Sequence, residues 1–273
     1  MSGQAWTLND IPWGSFDAAK VDPDMLRVVK AASLVEANGG DYATYLCNVF
    51  GDDPAFQQAA RHWAAEEVQH GRALARWAAL ADPGFDFEAS FKRFTEGYSL
   101  PLDAVHSVRG SRSGELVARC IVEVGTSSYY TALREAAEEP VLREICRRIA
   151  ADELRHYKLF YDHLKRYLAK EKVGRARRLL VVLGRMGESE DDELAYAYYA
   201  ANGGAEAYDR RRWARAYLAR AYGFYRRHHI DRVVAMSLKA AGLNPRSPLA
   251  GWIARLGYWF TRTRRRRALA AGA

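Results

Sequence analysis

Apolar residues recur at three- and four-residue intervals over long stretches of the chain, and proline and glycine collect at the junctions between them. That is the period of amphipathic helices, and no convincing series of alternating strands interrupts it. After an irregular arm to about Asp24, the pattern predicts a helix from Met25 to Phe50. "GDDP" breaks it, with Pro54 suited to a first helical position and Asp52 or Asp53 to the cap. The second helix runs to about Ala81, where "DPG" stops it. A shorter helix, "FEASFKRFTEGY", precedes a proline-containing loop. "SRSGELVARCIVEVGTSSYYTALREA" is the next long helix, and Pro140 restarts another that ends near Lys172. Shorter helices follow through Ala201, "NGG" forms a joint, and two basic helices close the chain. The expected architecture is all-α, a helical bundle.

The chain of 273 residues, 49% hydrophobic, is long enough for a substantial core. Cys47, Cys120 and Cys146 lack metal-finger or disulfide-framework spacing, so a reducing compartment is expected. No secretory leader is visible after Met1, and no run of about 18 apolar residues suggests a membrane span. The net charge of +8 is unevenly distributed: residues 205–273 hold 16 Arg or Lys against three acids, whereas the rest is acidic on balance. The division expected is an N-terminal arm (1–24), a bundle (25–203) and a basic helical extension (204–273).

Chemistry enters with "WAAEEVQHG", residues 63–71, where Glu66, Glu67 and His70 crowd among alanines and a tryptophan. Carboxylates are seldom buried without a partner. Glu36 stands almost as far before the break at Phe50 as Glu67 stands after Pro54. At helical rise both lie roughly 20 Å from the same turn, at similar heights on antiparallel neighbours. The construction recurs: Glu123 precedes Ala136 by the same interval at which Glu153 follows Pro140. Residues three apart on a helix share a face, so Glu67 accompanies His70 and Glu153 accompanies His156. One Glu on each of two helices, with Glu-x-x-His on each of two others, is the ligand set of a carboxylate-bridged dinuclear metal site. Four carboxylates neutralise and bridge two divalent ions, and two imidazoles complete the coordination. The metal charge would also compensate the burial of the acids.

A single acid-x-x-His is weak evidence, because 33 acids and 7 histidines make about one chance occurrence in this length. Asp103-Ala-Val-His106, in a loop, is read as that one. The competing reading, solvated Glu/His faces, requires the apolar flanks "RHWAAEEVQHGRAL" and "RRIAADELRHYKLF" to be coincidental. Glu66 points about 100° away from Glu67 and is expected to be a solvated neighbour. Gly39 and Gly40, one turn after Glu36, fit either room for a substrate chain or a kink with close helix contact. Tyr129, Tyr130 and Tyr157 are expected as core aromatics.

Trp63 stands four residues before Glu67, Asp152 directly before Glu153, Thr126 three residues after Glu123, and Tyr42 six after Glu36. With the ligand set, these make residues 25–170 resemble the ferritin-like di-iron carboxylate proteins, and among them most closely the soluble acyl-carrier-protein desaturases. The resemblance implies a ferritin-like four-helix bundle core with additional helices. It implies two Fe held by terminal ligands Glu36 and Glu123, bridging ligands Glu67 and Glu153, and nitrogen ligands His70 and His156. Thr126 would lie beside the oxygen-binding face, and Trp63, His70 and Asp152 would carry incoming electrons. Trp6 and Trp13 in the arm are further candidates for that route. The C-terminal quarter has no counterpart.

The implied activity is that of an O₂-dependent di-iron oxidoreductase attacking an unactivated C–H bond of a fatty-acyl or lipid-like substrate, with desaturation the favoured outcome. O₂ would be co-substrate, and a ferredoxin-like or other reductase the external electron donor. The ligands alone also fit a hydroxylase or monooxygenase of another substrate, a ferroxidase or iron-binding protein, or a metal-braced scaffold. "LAGWIARLGYWFTRTRRRR", residues 249–267, combines aromatics with a cluster of arginines, as does "RRRWARAYLARAYGFYRRHH", residues 210–229. Such helices suit an anionic membrane surface or an acidic acyl-carrier protein. No nucleic-acid recognition motif is present, a homodimer is allowed, and the expected location is cytoplasmic, with peripheral membrane contact. His228 and His229 are read as part of the basic surface.

Overall fold

A computed structural model describes residues 6–187, 192–204 and 206–272 of the chain. Residues 1–5 of the arm and 188–191 of the helical run expected before Ala201 lie outside the described residues. Eleven α-helices and no strand occur among the described residues: α1 Pro23–Ala37, α2 Gly39–Val49, α3 Pro54–Ala81, α4 Phe87–Gly97, α5 Arg112–Ala136, α6 Pro140–Glu171, α7 Arg175–Gly187, α8 Asp192–Asn202, α9 Arg210–Phe224, α10 Arg227–Ala241 and α11 Pro248–Ala270. Three short 3-10 turns precede them in the arm.

The helix starts follow local chemistry. Asp22, Asp53 and Glu139 cap α1, α3 and α6, each accepting from backbone N–H groups of the first turn, and proline opens all three. Ser111 caps α5 in the same way. These caps satisfy donors that have no partner within the helix, and proline there forfeits no hydrogen bond.

Two boundaries differ from the sequence expectation. The helix predicted from Met25 to Phe50 is divided at Asn38, whose ψ of 9° leaves the helical range. The run Asn38-Gly39-Gly40 has poor helix propensity, and the offset lets the backbone step close against α3. A Cβ at Gly39 would lie 2.7 Å from the Glu67 Cβ, so the close-contact reading holds for Gly39, whereas Gly40 faces open space. The basic extension forms three helices, because Tyr225 and Arg226 are extended between α9 and α10.

Packing pairs α1 with α3 and α5 with α6, and α3 also meets α6. A short connection makes α5 and α6 antiparallel, and the short turn between α2 and α3 returns the chain along α1 and α2. α8 covers α1, α10 covers α5, and α9 packs against both α8 and α11. The apolar core is in two main parts. Along α3, one cluster takes Phe56 to Ala64 and the other Ala73 to Ala78. Along α6, the order is Val141 to Ala150 and then Tyr157 to Tyr167. Between them lies a polar layer holding Glu66, Glu67, His70, Asp152, Glu153 and His156, all buried. The extension is not set apart: Trp213 and Tyr217 of α9 join one cluster, Ala240 and Ala241 of α10 the other.

Candidate metal centre

Four helices supply the polar layer. α1 brings Glu36 near its C-terminal end, α3 brings Glu67 and His70, α5 brings Glu123, and α6 brings Glu153 and His156. Glu36, Glu67, His70 and Glu153 each offer a ligand atom, all within 4.8 Å of one another. Glu67, Glu123, Glu153 and His156 form a second such group. The two groups share Glu67 and Glu153, and the imidazole centroids stand 5.9 Å apart. Close approach of the helices is built into two glycines. A Cβ at Gly71 would lie 2.6 Å from the backbone nitrogen of Ala37, and Gly39 admits Glu67 as noted.

The donor set fits metal ions by its own unmet needs. Glu36 Oε2, Glu67 Oε1, His70 Nδ1, Glu123 Oε1, Glu153 Oε1 and His156 Nδ1 are buried without a hydrogen bond of good geometry, one atom on each of the six residues. They face only one another, with His156 Nδ1 2.9 Å from Glu67 Oε1 and His70 Nδ1 3.4 Å from Glu153 Oε1. Buried polar atoms are ordinarily paired, so six orphans at one place mark a site that something else completes. The imidazoles are already turned for it. His70 Nε2 meets Asp152 Oδ2 at 3.0 Å and His156 Nε2 meets Glu66 Oε2 at 2.8 Å, which leaves both Nδ1 atoms facing the carboxylates. A carboxylate holding the outer N–H fixes the tautomer of a ligating histidine.

Glu66 therefore departs from its expected place in solvent: it is buried and serves His156 as Asp152 serves His70. Arg155 spans the two carboxylates, 2.5 Å from Asp152 and 3.3 Å from Glu66. Trp63 also falls elsewhere than expected. Its ring stands edge-on to His156, with centroids 6.5 Å apart, in the half of the site away from Asp152. The indole that meets His70 is Trp6, stacked at 5.9 Å and 7° and donating from Nε1 to Asp152 Oδ2 at 2.6 Å. Trp13 is not part of it; its N–H donates to Leu8 O. Nothing in the spacing of the arm foretold the choice of Trp6, because the contact spans 146 residues.

The electrostatics follow from burial. Burial, reinforced by Glu153 and Glu36, holds the Glu67 carboxyl well above its usual range. Burial likewise pushes Glu153 up to about 8, with Glu36 and Glu123 adding to the effect. Burial opposes charge on His70 and His156, yet the facing carboxylates outweigh it and raise both imidazoles well above their ordinary value. Without cations, protons hold this layer together. Burial also works against the Asp152 carboxylate, but bonds from His70, Arg155 and Trp6 bring it down to about 2.

Thr126 lies at the edge of the layer. Its hydroxyl lies near its own helix carbonyls at Val122 and Glu123, and it donates to Glu153 Oε2 at 2.6 Å. Tyr130 donates to Glu36 Oε1, and Tyr157 to Met236 O. A cavity of about 440 Å³, open solvent included, adjoins the layer and is lined by Glu36, Glu67, Glu123, Glu153, Thr126, Trp63, Tyr42, Arg119 and Glu193 among others.

Glu135, His228 and His229 form another close group. His229 Nδ1 accepts the backbone N–H of Arg226 at 2.9 Å, so the ring's proton is on Nε2. That nitrogen lies 3.2 Å from Glu135 without a hydrogen bond of good geometry, and the bond to Glu135 comes from His228 Nε2 at 3.0 Å. A metal at Nε2 would require breaking the N-terminal bond of α10, and the group is read as a hydrogen-bonded tie between α5 and α10. Asp103 and His106 are exposed in a loop.

Among the described residues no helix is long and apolar enough to cross a membrane. No protein-family model matches the chain, and no curated protein matches it. What stands is an all-helical protein whose buried carboxylate and imidazole groups could hold metal ions.

Proposed function

We propose that this protein is a di-iron, O₂-dependent oxidase that attacks an unactivated C–H bond of a fatty-acyl or lipid-like substrate, with desaturation as the outcome. The observation that carries the metal part is the set of six orphaned ligand atoms on four helices, two of them the inward Nδ1 atoms of His70 and His156. Glu36 and Glu123 would be terminal ligands, and Glu67 and Glu153, common to both groups, would bridge. Two irons so held would supply the reduction of O₂ and the oxidising power for C–H cleavage.

The chain's own residues have separate tasks in this reading. Asp152 and Glu66 keep the imidazole protons on Nε2 and thereby keep the Nδ1 lone pairs available. Trp6, Asp152 and His70 form a hydrogen-bonded path by which electrons reach the centre, with Trp6 in the place first expected of Trp63. Thr126 holds its proton on Glu153 Oε2 at the edge of the cavity, where it can be passed to an oxygen atom.

The partner surface in this reading is α11 against anionic lipid. Trp252, Leu256 and Trp259 are 63%, 63% and 65% exposed on one face of the helix. Arg255 and a terminal run of arginines accompany them, the combination that inserts aromatics at a headgroup layer while cations meet its charge.

The test is anaerobic Fe²⁺ loading followed by oxygen uptake in the reduced protein, with and without acyl substrates, and mass spectrometry of the products. Two irons per chain and substrate-dependent uptake are expected, with loss of two hydrogens from the acyl chain. Gain of one oxygen atom would mean hydroxylation. Oxygen consumed with Fe²⁺ alone and no organic product would mean a ferroxidase. Fewer than one iron per chain would remove the oxidase reading.

A further inference from the structure

Arg119 lies on α5 one turn before Glu123, about 6 Å along the helix. It is 8% exposed, yet makes no hydrogen bond and lies within ion-pair distance of no carboxylate among the described residues; its Nε is an orphaned buried donor. The acids near it are engaged elsewhere. Glu115 accepts from Tyr45 at 2.8 Å and Ser107 at 2.7 Å, and Glu193 accepts from Tyr42 at 2.5 Å. Among the described residues the guanidinium lies over the face of Tyr42, 4.9 Å from the ring centroid. Burial disfavours its charge, but Tyr42, Glu115, Glu123 and Glu193 more than restore it at longer range, so the side chain is a held cation with its donors unspent.

The side chain borders open space on two sides. Arg119 lines the cavity beside the metal-capable layer and also a neighbouring one bounded by Tyr45, Tyr98, Leu100 and Pro101. Tyr42, Arg119, Arg185 and Glu193 line both cavities, so Arg119 stands between the layer and the aromatic walls of the second. Trp63, whose indole N–H is likewise buried without an acceptor, lines the first.

We propose that Arg119 is a substrate-binding residue and that the substrate is an organic acid whose carboxylate docks on its guanidinium, with the attacked carbon at the Thr126 side of the cavity that both residues line. This rests on the oxidase reading for the word substrate, while the anion site itself does not. A planar guanidinium offers the paired N–H groups that match a carboxylate. Arg185 lines both cavities as well, but so does Glu193, and Glu36, Glu67, Glu123, Glu153 and Glu115 line one or the other; this acidic surround favours a monoanion over a phosphate dianion. The one-turn separation from Glu123 also places the reacting carbon near the acid end of the molecule.

The test uses the full chain without added reductant and scores binding, not turnover, so it stands whether or not the oxidase reading survives. Titration calorimetry with octanoate, octanamide and octyl phosphate is compared for wild type, Arg119→Lys and Arg119→Gln, with metal content measured in each. Octanoate should bind wild type at least about tenfold more tightly than octanamide, the loss expected for one charge-assisted pair. Arg119→Gln should erase that preference at unchanged metal content, and Arg119→Lys should keep part of it. Equal binding of acid and amide to wild type would overturn the proposal, a readout that needs no variant to fold. Tighter binding of octyl phosphate would overturn the carboxylate assignment, and an undiminished acid preference in Arg119→Gln would overturn the residue's role.

Discussion

Trp6 and Asp152, 146 residues apart, are joined by a 2.6 Å hydrogen bond whose acceptor oxygen also holds His70 Nε2. The N-terminal arm thus meets the metal-capable layer through one carboxylate oxygen shared with His70 and through the ring stacked on that imidazole. Trp6→Phe keeps a ring stacked on His70 but removes the N–H donor. With iron loaded, reduction by an external donor should slow by tenfold or more, while iron stoichiometry stays at the wild-type value. Stopped-flow absorbance under anaerobic conditions measures the first, and metal analysis the second.

Metal loading should release protons. Glu153 is pushed up to about 8 by burial, and Glu67, His70 and His156 also stand well above their usual values. These groups therefore hold protons in the metal-free protein more firmly than free side chains do, and incoming cations must displace them. Apparent affinity should therefore fall as pH falls, by about tenfold per unit for each proton displaced. Cobalt(II) titrations between pH 6 and 9, in weak and strong buffers of the same pH, would record both the trend and the released acid.

Gly71 and Gly40 should respond oppositely to alanine. At Gly71 the new Cβ would lie 2.6 Å from the Ala37 backbone nitrogen, and backbone cannot give way cheaply. Gly71→Ala should cost about 1–3 kcal/mol, the scale of overpacking, and weaken metal retention by pushing α1 from α3. Gly40 has nothing within 4 Å of that position, and Gly40→Ala should be stabilising by about 0.5–1 kcal/mol. Thermal melts of both variants check the pair.

Acid should weaken the tie between α3 and the far end of α6. Asp53 caps α3 through Phe56 N, accepts from Tyr167 at 2.7 Å, and pairs with Arg166. Burial opposes its charge, but these bonds hold the carboxyl at about 2 instead of 3.8. Its folded value is the lower one, so its contribution is full above pH 4 and is lost as pH falls towards 2. The shift amounts to about 2 kcal/mol at neutral pH. Urea unfolding of wild type and Asp53→Asn should show that gap at pH 7 and roughly half of it at pH 3.

Binding of α11 to anionic vesicles should depend on its exposed indoles and on salt. Trp252→Ala with Trp259→Ala should abolish co-sedimentation with phosphatidylglycerol vesicles, and raising salt should weaken the wild type. Binding that survives both changes would assign the basic face to another partner.

Much of the architecture was legible in the sequence, for identifiable reasons. Pro54 and Pro140 start helices visibly, and counting turns from them brings Glu36, Glu67, Glu123 and Glu153 to one height. Local rules did less well where the deciding contact is distant. Glu66 looks solvent-facing from its angle to Glu67, but α6 brings His156 and Arg155 over it. Asn38 looks like a mid-helix residue until α3 is seen to crowd the next glycine. Arg119, inside a long apolar helix, carried no motif, and only the cavity on its far side distinguishes it.

The stratum of carboxylates and imidazoles between the two apolar regions has a mechanical implication. It is a seam across the interior, where carboxylates tolerate one another through shared protons, imidazoles or cations. Emptying and filling it should change how the halves move together. Amide hydrogen exchange along α3 and α6 should show two independently opening blocks in the chelator-treated protein, fused into one slow unit when metal is restored.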